Sequence, residues 1–318
     1  MKKINLILSL VLILLVLVSC TGTKLAGVET VIYKGTDGLR MDILEGLPPK
    51  EMYVGTKESP AYLQIGIELE NQGAYDITEG VLAISYDRKF NDLSQTSVDT
   101  FNLRGRSQLT PIGDITRKTF TVKNYGLPPG SKSVFVISGC YKYETTATVD
   151  VCISPYYSPL VKVGEDVCKA KDFTNIKLSG GQGGPVAITN VRESIRPTEH
   201  DLVEIVFAIT LDNFGDGNVR SEENYDKECR EGAESLSIKD IKTARIKEIS
   251  FSDYSLANNR IECYPKELRV GEKTIICSAK IDKRVVKSPY LTPLKIKIGY
   301  GYVSREYPVI NFKERTEI

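Results

Sequence analysis

The sequence predicts an all-β protein made of two antiparallel β-sandwiches in tandem. The first observation is a strict alternation of apolar and polar residues, which indicates strands with one buried face; it is clearest at 63–69, 203–211 and 294–298. The second is that the order of strands and turns in the first half recurs in the second half. The third is size, because 318 residues with 41% apolar and 26% charged side chains are enough for about two ordinary globular domains.

The N-terminal segment predicts export. Lys2 and Lys3 precede an apolar run over 4–18, and the run ends in Leu17-Val18-Ser19-Cys20, which is the order of parts in a secretory signal. The ending resembles the lipobox of exported lipoproteins, in which the cysteine is lipidated and becomes the first residue, so Cys20 is the expected membrane anchor. The alternative is an uncleaved anchor helix at 1–20. Both interpretations predict a membrane-attached protein that faces the outside of the cell.

The two halves of the remaining chain resemble each other. Residues 67–76 and 209–218 each run from an alternating strand into Asn-x-Gly, where Asn and Gly favour the turn that ends a strand. Further along, Lys118-Thr119 and Lys273-Thr274 each open an apolar stretch. Each is followed by a pair of alternating tyrosines, Tyr141 and Tyr143 in the first half and Tyr300 and Tyr302 in the second. Because order and spacing are kept, we interpret the chain as a duplicated β-domain.

The composition sets the domain boundaries. We place the first sandwich at 28–155, a connecting segment at 156–184 and the second sandwich at 185–318. The connection ends in Ser179-Gly180-Gly181-Gln182-Gly183-Gly184-Pro185, which is typical of a flexible joint. Each half has the size of a seven-strand sandwich, and one short helix is expected within 222–249.

Two short motifs extend this prediction to a family. The stretch Pro49-Lys50-Glu51-Met52-Tyr53-Val54-Gly55, followed by Glu70-Asn71-Gln72-Gly73, resembles the immunoglobulin-like modules of cell-adhesion-related and archaeal surface-layer-associated proteins. The second half keeps Asn213-x-Gly215 but lacks the Tyr-x-Gly element. The resemblance implies immunoglobulin-like sandwiches, an extracellular setting and a role in adhesion or envelope architecture, and it brings no catalytic residue. The chain has no Asn-x-Ser/Thr sequon, so heavy N-glycosylation is not expected.

Six cysteines follow Cys20, and an even number in an exported chain predicts disulfides: Cys140, Cys152, Cys168, Cys229, Cys263 and Cys277. Cys140 and Cys152 flank an expected hairpin near Thr146, and Cys263 and Cys277 flank Val270-Gly271, so each pair is a candidate bridge. Cys168 would then join Cys229, with Cys152 to Cys168 as the rival pairing. The cysteines do not form Cys-x-x-Cys pairs, so a redox-active or zinc-binding role is not expected.

Two further groups of side chains are candidate binding sites. Asp212, Asp216 and Glu223 partly match the spacing of a calcium loop, but Phe214 stands where an oxygen ligand is needed, which leaves only a loose calcium site as a candidate. The alternating tyrosines Tyr141, Tyr143, Tyr300 and Tyr302 form an aromatic face on each hairpin. Such a face either packs in the sheet or binds a sugar or a protein.

Composition excludes several function classes. The formal net charge is +1, so nucleic-acid binding by bulk electrostatics is not expected. His200 is the single histidine and is expected in a solvated loop, so schemes that need two imidazoles are excluded. Neither a nucleophile elbow nor a phosphate-binding loop is present, and no cofactor is expected.

The sequence therefore predicts a non-enzymatic, lipid-anchored surface protein whose tandem modules serve adhesion, envelope architecture or protein interaction. A carbohydrate-binding accessory lipoprotein is the first alternative, with the tyrosine faces as stacking platforms. A non-catalytic subunit of a surface enzyme complex is the second. The expected partners are the membrane and an unidentified surface protein or glycan.

Overall fold

A computed structural model describes residues 33–94, 96–155, 175–198, 201–272 and 274–313, and within them the chain is mostly antiparallel β-sheet. The expected all-β class is confirmed. The expectations that concern Cys20, Cys168 and His200 lie outside the described residues.

The largest sheet has eight strands and takes strands from both halves. Its order is β15 (Tyr254–Ser255), β14 (Thr243–Phe251), β19 (Tyr290–Glu306), β9 (Val136–Ile153), β4 (Ile77–Ser85) and β6 (Val98–Leu103), with β13 (Asn218–Arg220) paired to β19 and β17 (Glu267–Arg269) paired to β14. Strands β9 and β19 are unusually long, with 18 and 17 residues, and they pair with each other along their full length. The two halves thereby share one sheet.

Each half adds a smaller sheet of its own. The first consists of β1 (Leu39–Ile43), β3 (Ala61–Asn71), β7 (Ile115–Asn124) and β5 (Asn91–Leu93), and the second of β10 (Ile176–Lys177), β11 (Val186–Pro197), β12 (Leu202–Asn213), β18 (Thr274–Asp282) and β16 (Ile261–Tyr264). A third, three-stranded sheet joins β2 (Glu51–Tyr53), β20 (Val309–Lys313) and β8 (Lys132–Val134). Strand β20, although it follows the second half in sequence, therefore pairs with two strands of the first half.

The core lies between the eight-stranded sheet and the two smaller sheets. The alternating apolar residues identified in the sequence point into it: Leu63 to Leu69 on β3, Val203 to Leu211 on β12, and Leu294 to Ile298 on β19 are at most 3% exposed. They belong to one continuous cluster that includes residues of both halves. Because burial of apolar area is the main stabilising contribution, this shared core favours folding of the halves as one unit, and 32–318 is one compact unit.

The halves repeat the same contacts. The hydroxyl of Tyr141 accepts a hydrogen bond from the N–H of Leu39, the first residue of β1, at 3.0 Å, and the hydroxyl of Tyr300 accepts one from the N–H of Val186, the first residue of β11, at 3.3 Å. Tyr141 is thus the counterpart of Tyr300. In the paired long strands, Lys142 lies opposite Gly301, and these two are counterparts as well. A pseudo-two-fold axis therefore passes between them, as expected when equivalent antiparallel strands pair.

The glycine-rich stretch predicted to be a flexible joint is instead packed into the fold. Residues 182–185 are buried, and the carbonyl of Gly183 accepts a hydrogen bond from the N–H of Ala74 at 2.8 Å. A Cβ on Gly184 would lie 2.7 Å from the hydroxyl oxygen of Thr145 and 2.8 Å from that of Tyr300. Glycine is required here because the backbone runs directly against the core side chains, and not because the segment is mobile.

Residues 221–242 form an excursion between β13 and β14. The excursion holds the short helix α1 (Lys227–Glu231) and two 3-10 turns, Ala233–Ser235 and Ile238–Asp240, which confirms the helix expected within 222–249. It covers the outer face of the eight-stranded sheet near the pseudo-two-fold axis, where a Cβ on Gly301 would meet Tyr225 at 2.6 Å. A buried ion pair between Arg220 and Glu228 at 2.8 Å holds its helix to β13.

The disulfides correct one prediction and agree with another. Cys140 does not pair with Cys152, because β9 is continuous through Thr146 and the two cysteines are separated by twelve residues of one extended strand, about 40 Å. Cys140 instead bonds Cys229 of the excursion, so the expected bridge from Cys168 to Cys229 is also wrong. Cys263 bonds Cys277, directly opposite it in the register of β16 and β18. Cys152 is itself disulfide-bonded.

Candidate functional site

The four tyrosines lie in the core, so their candidacy as a binding face is wrong and the other interpretation, packing in the sheet, is confirmed. Tyr141, Tyr143, Tyr300 and Tyr302 are at most 2% exposed. Their rings form a chain of edge and tilted contacts, with centroids 5.6 Å apart for Tyr141 and Tyr143 and 5.8 Å apart for Tyr141 and Tyr302. They alternate on the face of β9 and β19 that both smaller sheets cover. Their period-two spacing is therefore explained by packing in the core.

The tyrosine hydroxyls organise the turns that follow β3 and β12. The hydroxyl of Tyr143 donates to Oδ1 of Asn71 at 3.1 Å and accepts from the N–H of Tyr75 at 3.2 Å. Tyr302 does the same in the second half, with Oδ1 of Asn213 at 3.1 Å and the N–H of Gly217 at 2.9 Å. Burial raises the pKa of Tyr302 to about 12, so the hydroxyl stays protonated. The two Asn-x-Gly turns are therefore held by matching hydrogen bonds from a buried tyrosine hydroxyl.

A cleft of 520 Å³ opens beside the second of these turns. One wall is β1, the opposite wall is the end of β19 with Tyr307, and the floor is the turn 215–218. Tyr307 is 57% exposed and supplies the aromatic part of the rim. The cleft thus lies where a strand of the first half faces a strand and a turn of the second.

The walls of the cleft carry an excess of acidic side chains. Asp37, Asp42, Asp216 and Glu306 line it, together with two arginines. Arg40 pairs with Asp42 at 2.7 Å, and Arg305 pairs with Glu228 outside the cleft. Burial, with the nearby charge of Asp42, raises the pKa of Glu306. Among the described residues, Asp37, Asp216 and Glu306 have no cation partner in the cleft, so its potential is negative.

No described strand pairs with the backbone of β1 on its cleft side. Gln72 donates its N–H to the carbonyl of Gly38 at 2.8 Å, and Leu44 donates to Gly66 at 2.9 Å, which fixes the even residues of β1 as those bonded to β3. Leu39, Met41 and Ile43 therefore point their N–H and C=O groups away from β3. Those of Leu39 meet Tyr141 and Ser304. Those of Met41, a residue that is 5% exposed, face the cleft, and those of Ile43 point the same way but lie outside the cleft lining.

The loose calcium site is not formed. Oδ2 of Asp212 accepts a hydrogen bond from the hydroxyl of Thr189 at 3.0 Å, and Glu223 lies in the excursion, 3.6 Å from Arg245. Within the described ranges, no group of three His, Cys, Asp or Glu side chains is arranged to hold a metal ion. The Asn-x-Gly turn at 213–217 is stabilised by Tyr302 instead of by a cation.

Sequence reasoning missed the cleft and one buried carboxyl. Glu193 lies on the core face of β11, opposite Phe207, and is 6% exposed. Its Oε2 accepts a hydrogen bond from the N–H of Cys152 at 3.1 Å, and desolvation raises its pKa to about 7. The sequence did contain a signal for Glu193, because this residue takes the inward-facing position between Val191 and Ile195 in the alternating pattern of β11. The cleft gave no such signal, because its walls are distant in sequence.

Comparison with known proteins does not supply a family. No protein-family model matches the chain, and no curated protein is significantly similar to it. The class of protein is therefore set by the fold alone: an all-β, disulfide-bonded protein with two halves fused through a shared sheet. No helix among the described residues is long and apolar enough to cross a membrane.

Proposed function

We propose that the chain is an exported, membrane-anchored, non-enzymatic protein that binds another surface or envelope protein outside the cell. The observation that carries the proposal is the disulfide between Cys140 and Cys229, residues 89 positions apart. Such bonds persist in oxidising environments, and this one ties the excursion of the second half to the long strand of the first half. The N-terminal signal predicted from 1–20 supports the same compartment.

The architecture supports binding in preference to catalysis. In each half, a smaller sheet faces strands of the eight-stranded sheet, with four strands in the first half and five in the second, and we propose that each half is an immunoglobulin-like module. In the first half, the edge of β9 that is not paired with β4 is occupied by β19 of the second. This fusion holds the two halves in one orientation, so that the cleft between them keeps its shape. Rigid clefts with convergent polar groups are the usual sites of recognition.

The alternatives have weaker support. A carbohydrate-binding role depended on exposed tyrosine platforms, and the four tyrosines concerned are core residues. No observation favours a subunit role in an enzyme complex over the simpler interaction role.

The test is the non-reduced intact mass of the full chain extracted from its native membrane. We expect loss of residues 1–19, an added lipid mass, and the loss of two hydrogens per disulfide. A matched sample, reduced and alkylated before analysis, counts the bonded thiols. A full-length mass with free thiols at Cys140 and Cys229 would overturn the proposal, because the protein would then face a reducing space.

A further inference from the structure

The internal repeat provides a second copy of the β1 edge, and that copy is covered. Met41 of β1 and Ile188 of β11 are counterparts, because each lies two residues after the strand's first residue, and those first residues pair with Asn71 and Asn213. The carbonyl of Pro185 accepts the N–H of Phe214 at 2.8 Å, as that of Gly38 accepts the N–H of Gln72. Equivalent residues of β1 and β11 therefore form the hydrogen bonds to the neighbouring strand. Ile188, like Met41, points its N–H and C=O groups away from the sheet.

In the second half, an extended segment of the same chain fills this edge. The side-chain amide of Gln182 donates to the carbonyl of Ile188 at 2.8 Å and accepts from its N–H at 3.0 Å. Next to it, the N–H of Leu178 bonds the carbonyl of Thr189 at 2.9 Å, and β10 pairs antiparallel with β11. Residues 176–178 thus act as an added strand, and further along the same edge the side-chain amide of Gln182 replaces one peptide group.

In the first half, the corresponding space is the acidic cleft. The described residues that precede β1, from Tyr33 on, do not fold back along it. The rings of Tyr33 and Tyr75 lie 6.2 Å apart in a tilted arrangement, and the carbonyl of Gly35 accepts a hydrogen bond from the N–H of Gly183 at 3.1 Å. These contacts lead the chain toward the glycine-rich stretch. Within the described residues, the outward backbone groups of Met41 therefore face the 520 Å³ of the cleft, and those of Ile43 lie on the same edge beyond its lining.

We infer that the free edge of β1 receives an extended, basic segment of a partner protein as an added antiparallel strand. An unpaired edge is a template for strand addition, in which main-chain hydrogen bonds supply affinity and flanking side chains supply specificity. Lysine or arginine side chains of the segment would face Asp37, Asp216 and Glu306, and a Gln or Asn would cap Met41 as Gln182 caps Ile188. The inference rests on the proposed function only in taking the partner to be another chain outside the cell.

The probe for this edge is a synthetic peptide that copies residues 175–182, Asn-Ile-Lys-Leu-Ser-Gly-Gly-Gln, with the serine replaced by lysine. Binding to the full chain is measured by fluorescence anisotropy, together with amide hydrogen exchange at Met41 and Ile43. We expect saturable binding that protects both amides. N-methylation at the isoleucine and the leucine, whose N–H groups face the edge in the second half, should weaken binding at least about tenfold. N-methylation at the intervening lysine, whose N–H faces away, should leave binding nearly unchanged.

Two protein variants locate the peptide. Ile43→Pro removes an N–H from the free edge without breaking a bond to β3, which is a position where a strand tolerates proline, and Ile43→Val keeps that N–H. We expect about tenfold weaker binding for the first variant and little change for the second. The double variant Asp216→Asn, Glu306→Gln leaves the backbone intact and should weaken binding most at low salt.

Several outcomes would overturn the inference. Equal binding of the two N-methylated peptides would show that the edge is not used. Slow exchange of Met41 and Ile43 without peptide would show that the edge is already covered, by a second copy if dilution restores exchange and by another segment of this chain if it does not. The intact-mass experiment does not involve this edge, so a protein that is lipidated and disulfide-bonded but binds no peptide would refute only the strand-addition inference.

Discussion

The buried carboxyl of Glu193 makes the stability of this protein depend on pH in an unusual direction. Its pKa is about 7 in the folded chain, against an ordinary value of 4.5, because burial disfavours the charged form. Between these values the folded state holds a proton that the unfolded state has lost, so the free energy of unfolding falls as pH rises. The contribution is fully present below about pH 4.5 and is lost above about pH 7.

The size of the effect follows from the two pKa values. Their difference corresponds to roughly 3 kcal/mol in total, of which about 2.5 kcal/mol is lost between pH 5 and pH 8. In Glu193→Gln the side chain keeps an oxygen that accepts the N–H of Cys152 but cannot ionise. We therefore expect the free energy of unfolding of the variant not to show this decrease between pH 5 and pH 8, whatever its absolute stability.

The assay is equilibrium unfolding in urea at half-unit steps from pH 5 to pH 8, without reductant. Glu306→Gln is the matched control. Glu306 also has a raised pKa but is only half-buried, so it should contribute less to the pH dependence of the free energy of unfolding. The quantity to compare is the difference in the free energy of unfolding between wild type and variant at each pH. If that difference stays constant over the range, Glu193 is ionised in the fold and the reasoning is refuted.

Three further predictions concern the framework. Tyr143→Phe and Tyr302→Phe each remove a hydroxyl that joins an Asn side chain to a turn N–H. Each should lower the free energy of unfolding in urea by about 1–3 kcal/mol, with the larger loss at the more buried Tyr143. No loss in either variant would contradict the matching roles of the two hydroxyls. Replacing Cys140 and Cys229 together by serine opens a loop of 89 residues and should lower the free energy of unfolding by about 4 kcal/mol relative to oxidised wild type. An unchanged unfolding midpoint would argue against the bond. Gly184→Ala should cost about 1–3 kcal/mol by overpacking, whereas a neutral result would restore the flexible-joint interpretation.

The duplicated pattern predicted from sequence is visible in the structure because it depends on local spacing. The two Asn-x-Gly turns and the two tyrosine pairs make matching hydrogen bonds in the two halves. The Lys-Thr match is less accurate: Thr274 lies opposite Thr210, the position that Arg117 holds opposite Glu68, so it is displaced by two residues. A shift of two preserves the face of a strand, and periodicity alone does not detect it.

The sequence by itself determined which residues form strands and which face of each is buried, because an alternation of period two has only one arrangement that hides its apolar side chains. It also determined the turn at each Asn-x-Gly and the presence of disulfides. Only the tertiary structure decided that β9 runs straight through Thr146, that Cys140 meets Cys229, and that the glycine-rich stretch is packed. It also decided that the edge of β11 is covered, whereas no described strand pairs with the same edge of β1. The first three features arise from contacts between residues that are mostly more than eighty positions apart, and the free energy of such pairing depends on the whole core and not on any local pattern.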